Sequence, residues 1–295
     1  RAEGRVISFL GDGRADYCDL LVPREDRGVQ SAALHTLIAE TRWDVIELNG
    51  VPSHSGTIQD VVETSRGVGC RSIVERQYLC PTLLIAGHEE DARRISNKPA
   101  LRRTINRFKR DGCLTYRHLN TTAEIQSHLE DFFAQHVSRW AHANCRSLFL
   151  AESNRCFYRH LTANLGNTGW LLFSIVQFNG QPIAFHYGFD YDDAILWYKP
   201  SFSVAYAPRS PGLAMVRELI GYAIQNGRRE LDFTVGDEAF KRRFTNHCRT
   251  TTHVRIYRDA FRYSLALVSR WMARATRRFP SLHRLTRRGD SGGRR

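Results

Sequence analysis

The stretch that decides the fold is Trp197–Phe244, WYKPSFSVAYAPRSPGLAMVRELIGYAIQNGRRELDFTVGDEAFKRRF. Apolar and polar residues alternate across residues 195–199, which predicts a half-buried strand at its start. Ser210 suits the N-cap of a helix, and Pro211 suits the first helical position, where its missing N–H costs nothing. Residues 230–235 read as the next strand. A strand that leads through a small-residue turn into a helix N-terminus can bind an anion, because unpaired backbone N–H groups and the helix dipole point toward it.

The elements around this stretch predict a mixed fold. Leu114–His118 reads as a strand, and the capping box Thr121-x-x-Glu124 opens a helix that continues to Trp140. The dipeptide at 179–180, Asn-Gly, is a strong hairpin turn. Helices are thus followed by a three-stranded antiparallel meander, and then by a helix between two strands. Upstream of residue 92, helices and strands alternate, and the sequence as a whole predicts the α+β (mixed α/β) class.

Short motifs in a fixed order carry a resemblance to a known family. They are Tyr206, Ser210-Pro211-Gly212, Gly227, Asp232-Phe233, Gly236-Asp237-Glu238 and Lys241-Arg242-Arg243-Phe244. This order resembles the C-terminal signature of the CelD/BcsL-like acetyltransferases, GNAT-fold proteins associated with bacterial cellulose biosynthesis. The end of the signature is similar to the FemABX aminoacyltransferases, which have two tandem GNAT-like domains. Motifs at residues 11–19, 43–44 and 48–53 extend the resemblance over about residues 5–258.

The resemblance implies tandem GNAT-like acyltransferase domains followed by a basic amphipathic helix. We expect an N-terminal half over residues 1–92 that is incomplete, since the first residue is not Met and the match begins inside a domain. We further expect a basic linker helix over 93–112, a C-terminal acyltransferase domain over 113–258 and an Arg-rich tail over 259–295.

For function, the resemblance implies acyl transfer from acetyl-CoA or another acyl-CoA, without a metal. The implied acceptor is a sugar, an exopolysaccharide precursor or a related small amine or hydroxyl. Two alternatives stay open. One is a FemABX-like transfer from aminoacyl-tRNA, in which the basic residues 93–110 would contact the RNA. The other is a non-catalytic, degenerate GNAT adaptor of a membrane-bound polysaccharide synthase.

The donor's phosphates need fixed N–H groups, and the resemblance assigns this site to the start of the helix. The residues that it implies are Arg209, Ser210, Gly212 and Leu213. The Arg209 guanidinium would add a charged contact. An ordinary capped helix without a ligand is the alternative.

Lys241 is the strongest catalytic candidate, because the matching lysine is implicated in transfer in the FemABX enzymes. Its ammonium can stabilise the oxyanion or, when desolvated, accept a proton. Asp237 and Glu238 are the nearest carboxylates and are candidates to orient this lysine or to act as base, with helix capping as the alternative for Asp237. His186 and Tyr198 are candidates for the base and for the acid that protonates the thiolate, because their strands should border the cleft. The competing interpretations are a basic turn for Lys241 and a core position for His186.

Composition indicates a globular protein. The chain has 295 residues, 42% of them hydrophobic and 11% aromatic, which allows one or two domains. Its 7 cysteines are scattered and never spaced C-x-x-C, which argues against a disulfide framework and a zinc cluster. No apolar run approaches the ~20 residues of a membrane-spanning helix, and no signal peptide is visible. We therefore expect a cytoplasmic protein, with peripheral association at the inner membrane as a second expectation.

The net charge of +13 is concentrated in two segments. Residues 93–110 carry 8 Lys and Arg and no acid, and residues 255–295 carry 12 Arg against 2 Asp. In the first segment Leu101, Ile105 and Phe108 predict the inward face of a helix, which is either a solvated linker or an RNA contact.

The second basic segment predicts a cationic amphipathic helix over 261–278. Its apolar face would hold Phe261, Leu265, Val268, Met272 and Ala275, and its polar face Arg262, Arg270, Arg274 and Arg277. This pattern indicates attachment to an anionic membrane surface or a membrane-bound synthase, or else a helix packed on the body with its arginines solvated. Residues 289–295 are predicted to be disordered.

Overall fold

The computed structural model describes residues 4–22, 27–39 and 42–278. It divides into unit 1, residues 1–78 and 250–295, and unit 2, residues 79–249. The chain passes between the units within two long strands, β3 (Arg71–Leu84) and β9 (His247–Tyr257). These positions differ from the predicted boundaries at 92, 112 and 258. The physical reason is that the end of β3 pairs inside unit 2, and the residues directly after it continue to bond there.

Unit 1 holds a small sheet with helices packed on it. Strand β1 (Val6–Ser8) runs parallel to β2 (Val45–Pro52), which is antiparallel to β9. Helices α1 (Arg27–Ala39) and α2 (Thr57–Gly67) pack together, and α10 (Ala260–Arg278) is the last element. The core consists of Leu34, Ile38, Trp43, Ile46, Leu48, Val51, Val61, Val254 and Ile256.

Unit 2 is built on a larger sheet with the strand order β3-β8-β7-β6-β5-β4. Its other strands are β4 (Leu114–Leu119), β5 (Leu171–Phe178), β6 (Gln181–Tyr191), β7 (Ala194–Phe202) and β8 (Glu230–Asp232). Strands β5, β6 and β7 form the predicted antiparallel meander. Asn179 and Gly180 both have positive φ, 50° and 79°, as the predicted two-residue hairpin turn requires.

Helices cover this sheet on two sides. Helices α3 (Glu89–Ser96), α4 (Pro99–Asp111) and α8 (Pro211–Gln225) contribute to one apolar cluster. Helices α5 (Thr122–Gln126), α6 (Leu129–His142) and α7 (Glu152–Leu165) contribute to the other. The short α9 (Ala239–Arg242) lies between β8 and β9 in the chain. Both faces of the central strands are therefore buried, as in the predicted mixed α/β class.

The predicted basic linker helix is part of unit 2. Leu101, Ile105 and Phe108 of α4 are buried in the same cluster as α8, and Gly112 is the C-cap of the helix. Most of the basic side chains of this segment lie on the exposed side. Burial of the apolar stripe anchors α4 to the unit, so that it does not serve as a free connector.

The helix predicted from Thr121 to Trp140 is broken into α5 and α6. Thr121 is the N-cap of α5 as the capping box predicts, but its hydroxyl donates to Glu124 Oε2 at 2.6 Å and makes no capping hydrogen bond to the backbone. The Ser127 hydroxyl then donates to the Glu124 carbonyl at 2.7 Å, which occupies a carbonyl of the last turn of α5. Among the described residues, no helix combines the length and the apolar character needed to cross a bilayer.

Candidate active site

Strands β7 and β8 are parallel neighbours that pair over three positions and then separate. The pairs run from Ala194 with Glu230 to Leu196 with Asp232. Asp232 Oδ1 accepts the Thr234 N–H at 2.7 Å, and Thr234 takes a left-handed conformation with φ 56°. This local turn ends β8 at residue 232, three residues before the predicted end of the strand.

A cavity of about 220 Å³ lies beside the unpaired part of β7. Its lining comes from β7, from the 3-10 turn Val204–Arg209, from the start of α8, from α9 and from α6. The lining residues are Arg139, Trp197, Pro200, Ser201, Phe202, Ala207, Ser210, Pro211, Gly212, Leu213, Met215, Val216 and Phe240. All of them belong to unit 2. The cavity is apolar except for one guanidinium, two hydroxyls and the backbone at the start of α8.

The helix start at this cavity differs in detail from the prediction. Pro211 is the first residue of α8 as predicted, but the Ser210 side chain makes no capping hydrogen bond, because Ser210 is in the left-handed region with φ 58°. The Ser210 N–H donates to the Ala207 carbonyl, and the Leu213 N–H donates to the Ser210 carbonyl. Among the described residues, the Gly212 N–H has no backbone acceptor. Among the residues predicted to bind the donor's phosphates, Gly212 thus has a backbone N–H that is available to a ligand.

The Ser201 side chain is the second polar group of the cavity that has no partner. Ser201 is buried, and its hydroxyl makes no hydrogen bond to any of the described residues. Leaving a buried hydroxyl unpaired costs free energy, about 1–3 kcal/mol in typical cases. A ligand in the cavity would relieve that cost.

The arginine at the cavity is Arg139 and not the predicted Arg209. Arg209, the predicted phosphate contact, turns to α4, where its Nη2 lies 2.9 Å from Asp111 Oδ2. Arg209 is not among the residues that line the cavity, whereas Arg139 is. Arg139 Nη1 donates to the Pro200 carbonyl at 2.6 Å, and its guanidinium lies 4.5 Å from the Phe202 ring centre. Burial lowers the pKa of Arg139, while the charge of Glu238 acts in the opposite direction.

Arg139 could not be predicted from the sequence, for a physical reason. It lies on α6, about 70 residues before the helix start that it accompanies. Its neighbours in sequence show no motif, and the contact depends on the packing of α6 against β7. Only the tertiary structure shows that Arg139 lies at the cavity.

Lys241 is buried, and its ammonium has two partners among the described residues. Its Nζ donates to the Val235 carbonyl at 2.8 Å and lies 3.0 Å from Glu238 Oε2. Gly236 has φ 133°, and a Cβ there would come within 2.8 Å of this ammonium. The lysine therefore ties together the turn between β8 and α9. Asp237 is elsewhere, in an exposed ion pair with Arg242, so that the carboxylate paired with Lys241 belongs to Glu238.

His186 and Tyr198, the other two catalytic candidates, pack among aromatic side chains in different parts of unit 2. His186 is completely buried, stacked on Trp197 with the ring centres 5.1 Å apart, and its Nε2 is 3.2 Å from the Leu196 carbonyl oxygen. Tyr198 packs against the other apolar cluster, where its hydroxyl accepts from Tyr158 at 3.3 Å. None of the predicted catalytic residues is among the cavity lining of the described chain. Their catalytic roles stay predictions.

Two buried histidines make the stability of unit 2 dependent on pH. Burial lowers the pKa of His136 and of His186 to about 3, below the value of about 6.5 in an unfolded chain. The unfolded state therefore binds more protons between these values, and stability is present above about pH 6.5 and is lost as the pH falls. The expected slope approaches about 1.4 kcal/mol per pH unit for each histidine.

The measurement is the free energy of unfolding in urea between about pH 7 and about pH 4.5. His136→Gln keeps a polar group beside Ser147, the hydrogen-bond partner of His136 at 2.8 Å, but cannot be protonated. The free energy of unfolding of this variant should fall less steeply with decreasing pH than that of the unsubstituted protein. Equal slopes for the two proteins would contradict the assignment of one lost proton to His136.

With this geometry in place, the comparisons identify the domain. Residues 96–242 match the family described as "Acetyltransferase (GNAT) domain". The match includes every residue that lines the cavity. The chain therefore contains a GNAT-fold acetyltransferase domain, and the protein is an acyltransferase. Among curated proteins, none matches this chain.

Solved structures share the fold at low identity. FemX is 10% identical with a TM-score of 0.56, and the alignment covers 77% of this chain and 75% of FemX. A conserved protein of unknown function from Bacteroides thetaiotaomicron is 17% identical with a TM-score of 0.52, over 77% of this chain and 75% of that one. The C-terminal domain of a protein named as a lysylphosphatidylglycerol synthetase, from Agrobacterium fabrum, is 14% identical with a TM-score of 0.50, over 76% and 70%.

These similarities confirm the predicted class, a mixed α/β fold with GNAT-like acyltransferase architecture. The likeness to FemABX transferases is confirmed at the level of the fold. Membership of the CelD/BcsL-like group stays a prediction.

Proposed function

We propose that this acyltransferase takes its acyl group from acyl-CoA, acetyl-CoA in the first instance, and binds the donor in the α8 cavity. The observation that carries the proposal is the convergence of three groups on one cavity: the Gly212 N–H, the Ser201 hydroxyl and the Arg139 guanidinium. An N–H at a helix start and a guanidinium are the groups that bind a phosphate. The apolar remainder suits the aliphatic part of such a donor.

The proposed reaction is direct transfer to an amine or hydroxyl of a sugar, an exopolysaccharide precursor or a related small molecule. The acceptor attacks the thioester carbonyl, the carbonyl oxygen takes the negative charge, and collapse breaks the carbon–sulfur bond. The acceptor loses a proton and the thiolate gains one. Lys241 is the proposed oxyanion partner. Because its ammonium is paired with Glu238, this role requires that the pair opens when the donor and acceptor bind.

Arg139→Gln is expected to weaken CoA binding by about 10–100-fold, the usual effect of losing a charge-assisted hydrogen bond. The measurement is calorimetric titration with acetyl-CoA and with free CoA. Arg117→Gln is the matched control, because this arginine of β4 is outside the cavity and is 3.7 Å from Glu124. Equal losses in both variants would assign the effect to net charge. If Arg209→Gln caused the loss and Arg139→Gln did not, the original assignment of Arg209 would replace Arg139.

A second candidate donor is aminoacyl-tRNA, favoured by the exposed basic side of α4. Arg102, Arg103 and Lys109 are exposed on this helix, while its apolar side is buried. The test is binding of tRNA at increasing salt concentrations. If the protein binds no CoA thioester but binds tRNA with steep salt dependence, and Arg102→Gln/Arg103→Gln abolishes the tRNA binding, the donor is aminoacyl-tRNA in place of CoA.

A further inference from the structure

Helix α10 turns its apolar side to solvent. Phe261 is 72% exposed, Leu265 52%, Val268 53% and Trp271 71%. Large apolar side chains that are this exposed on one helix mark an interaction surface, because a helix that packs on its own domain buries this side. We call Phe261, Leu265, Val268 and Trp271 the outer face of α10.

The opposite side of α10 holds the helix on unit 1. Arg270 Nη2 lies 2.5 Å from Glu75 Oε1. The Arg262 guanidinium lies 3.2 Å from Asp259 and 3.9 Å from Asp44. Tyr263 adds an aromatic contact, since the Arg71 guanidinium lies 5.5 Å from its ring centre. The helix is therefore attached through Arg262, Arg270 and Tyr263, and the described residues of unit 1 leave the outer face uncovered.

This arrangement differs from a helix packed on the body with its arginines solvated, because Arg262 and Arg270 lie close to carboxylates. The side chains at Arg274, Ala275 and Arg277, and all of residues 279–295, lie outside the described residues. Their sequence still bears on the surface. Residues 273–295 contain 8 Arg and 1 Asp, a net charge of +7 directly after the outer face.

We propose that the outer face of α10 binds an anionic lipid surface. An exposed row of aromatic and aliphatic side chains next to a strongly basic segment matches both components of such a surface, the acyl boundary and the negative headgroups. A second copy of the chain fits less well. Each copy carries a net charge of +13, and pairing two outer faces would bring like charges together.

The test is flotation of the full chain with vesicles at about 0.1 M salt. Vesicles of phosphatidylglycerol and phosphatidylcholine should carry the protein, and vesicles of phosphatidylcholine alone should carry at least about tenfold less. Leu265→Gln/Trp271→Gln should lower partitioning to the anionic vesicles at least about tenfold. Both side chains are exposed, and the melting temperature should therefore stay unchanged. Arg284→Gln/Arg287→Gln/Arg288→Gln should lower partitioning by about fivefold per arginine.

The matched control is Leu10→Gln/Leu150→Gln, two leucines on other segments that are at least as exposed as Leu265. This variant should float like the unsubstituted protein. Equal flotation of Leu265→Gln/Trp271→Gln and the control would overturn the proposal. So would a dimer in sedimentation that becomes a monomer in that variant, because the occupant would then be a second copy. Titration of the same variants with CoA separates this result from the donor proposal, which involves no residue of α10.

Discussion

Replacing Gly212 by Asp is expected to abolish donor binding, with affinity for CoA at least about 100-fold lower. A carboxylate at the second position of α8 would face the same space as the donor's phosphates and repel them. The substitution should not damage the fold. A Cβ at Gly212 would lie 3.6 Å from Phe202 Cδ1, an ordinary contact, and a negative charge in the first turn favours the helix dipole. The measurement is the rise in melting temperature on titration with acetyl-CoA and longer acyl-CoAs, which should vanish in the variant.

Gly212→Ala is the control for Gly212→Asp, because it adds the Cβ without the charge. It should keep most of the thermal shift. A flat response of the unsubstituted protein to every thioester would refute the CoA donor, whereas a full response of Gly212→Asp would move the phosphate site away from α8.

Arg249→Met is expected to destabilise unit 2 by about 3–5 kcal/mol, the usual cost of leaving a buried charge without its partner. The charge is Glu230, which is buried at the start of β8 and accepts hydrogen bonds from both terminal nitrogens of Arg249. Arg229 Nε lies 4.0 Å from Glu230 Oε2, too far for a hydrogen bond that would replace them. Because β8 begins at this residue, loss of the pair loosens the strand next to the β7–β8 separation. Urea unfolding at neutral pH measures the effect, as a lower midpoint with an unchanged slope.

Two variants test the interpretation of Arg249→Met. Arg242→Met breaks the exposed ion pair with Asp237 and should leave the midpoint unchanged. The double variant Glu230→Leu/Arg249→Met removes both charges and should recover part of the loss, since a buried pair is often replaceable by apolar side chains. A single variant that unfolds at the same midpoint as the unsubstituted chain would show that Glu230 finds water or another partner.

Much of unit 2 was predictable because its signals are local. The hairpin at Asn179-Gly180 follows from the positive φ that its two residues tolerate, and the start of α8 follows from the fixed φ of Pro211. The buried stripe of α4 follows from its helical spacing. The early end of β8 at Asp232 was missed, because a side-chain hydrogen bond to Thr234 competes with a strand that propensity favours.

The candidate site was predictable in position but only partly in its members. The motif from Ser210 to Lys241 identified the helix start and the segment beyond β8, both of which border or adjoin the cavity. The motif could not predict which arginine lies at the cavity. Arg209 is next to the helix in sequence yet is held by Asp111, while Arg139 reaches the cavity from α6. Ion pairs between elements that are far apart in the chain decide where a long side chain points, and the spacing of residues in the sequence does not predict these pairs.

By itself, the sequence determined the type and order of most helices, strands and turns of unit 2 and the family resemblance that they carry, because periodicity, caps and turn residues act over a few positions. Tertiary structure alone decided which side chains of a helix or strand face the cavity, an ion-pair partner or solvent. It placed Arg139 in the cavity, paired Lys241 with Glu238, and turned the outer face of α10 to solvent by binding Arg270 to Glu75. The physical reason is that a charged or amphipathic side chain has several satisfactory partners, and packing of residues far apart in the chain selects among them.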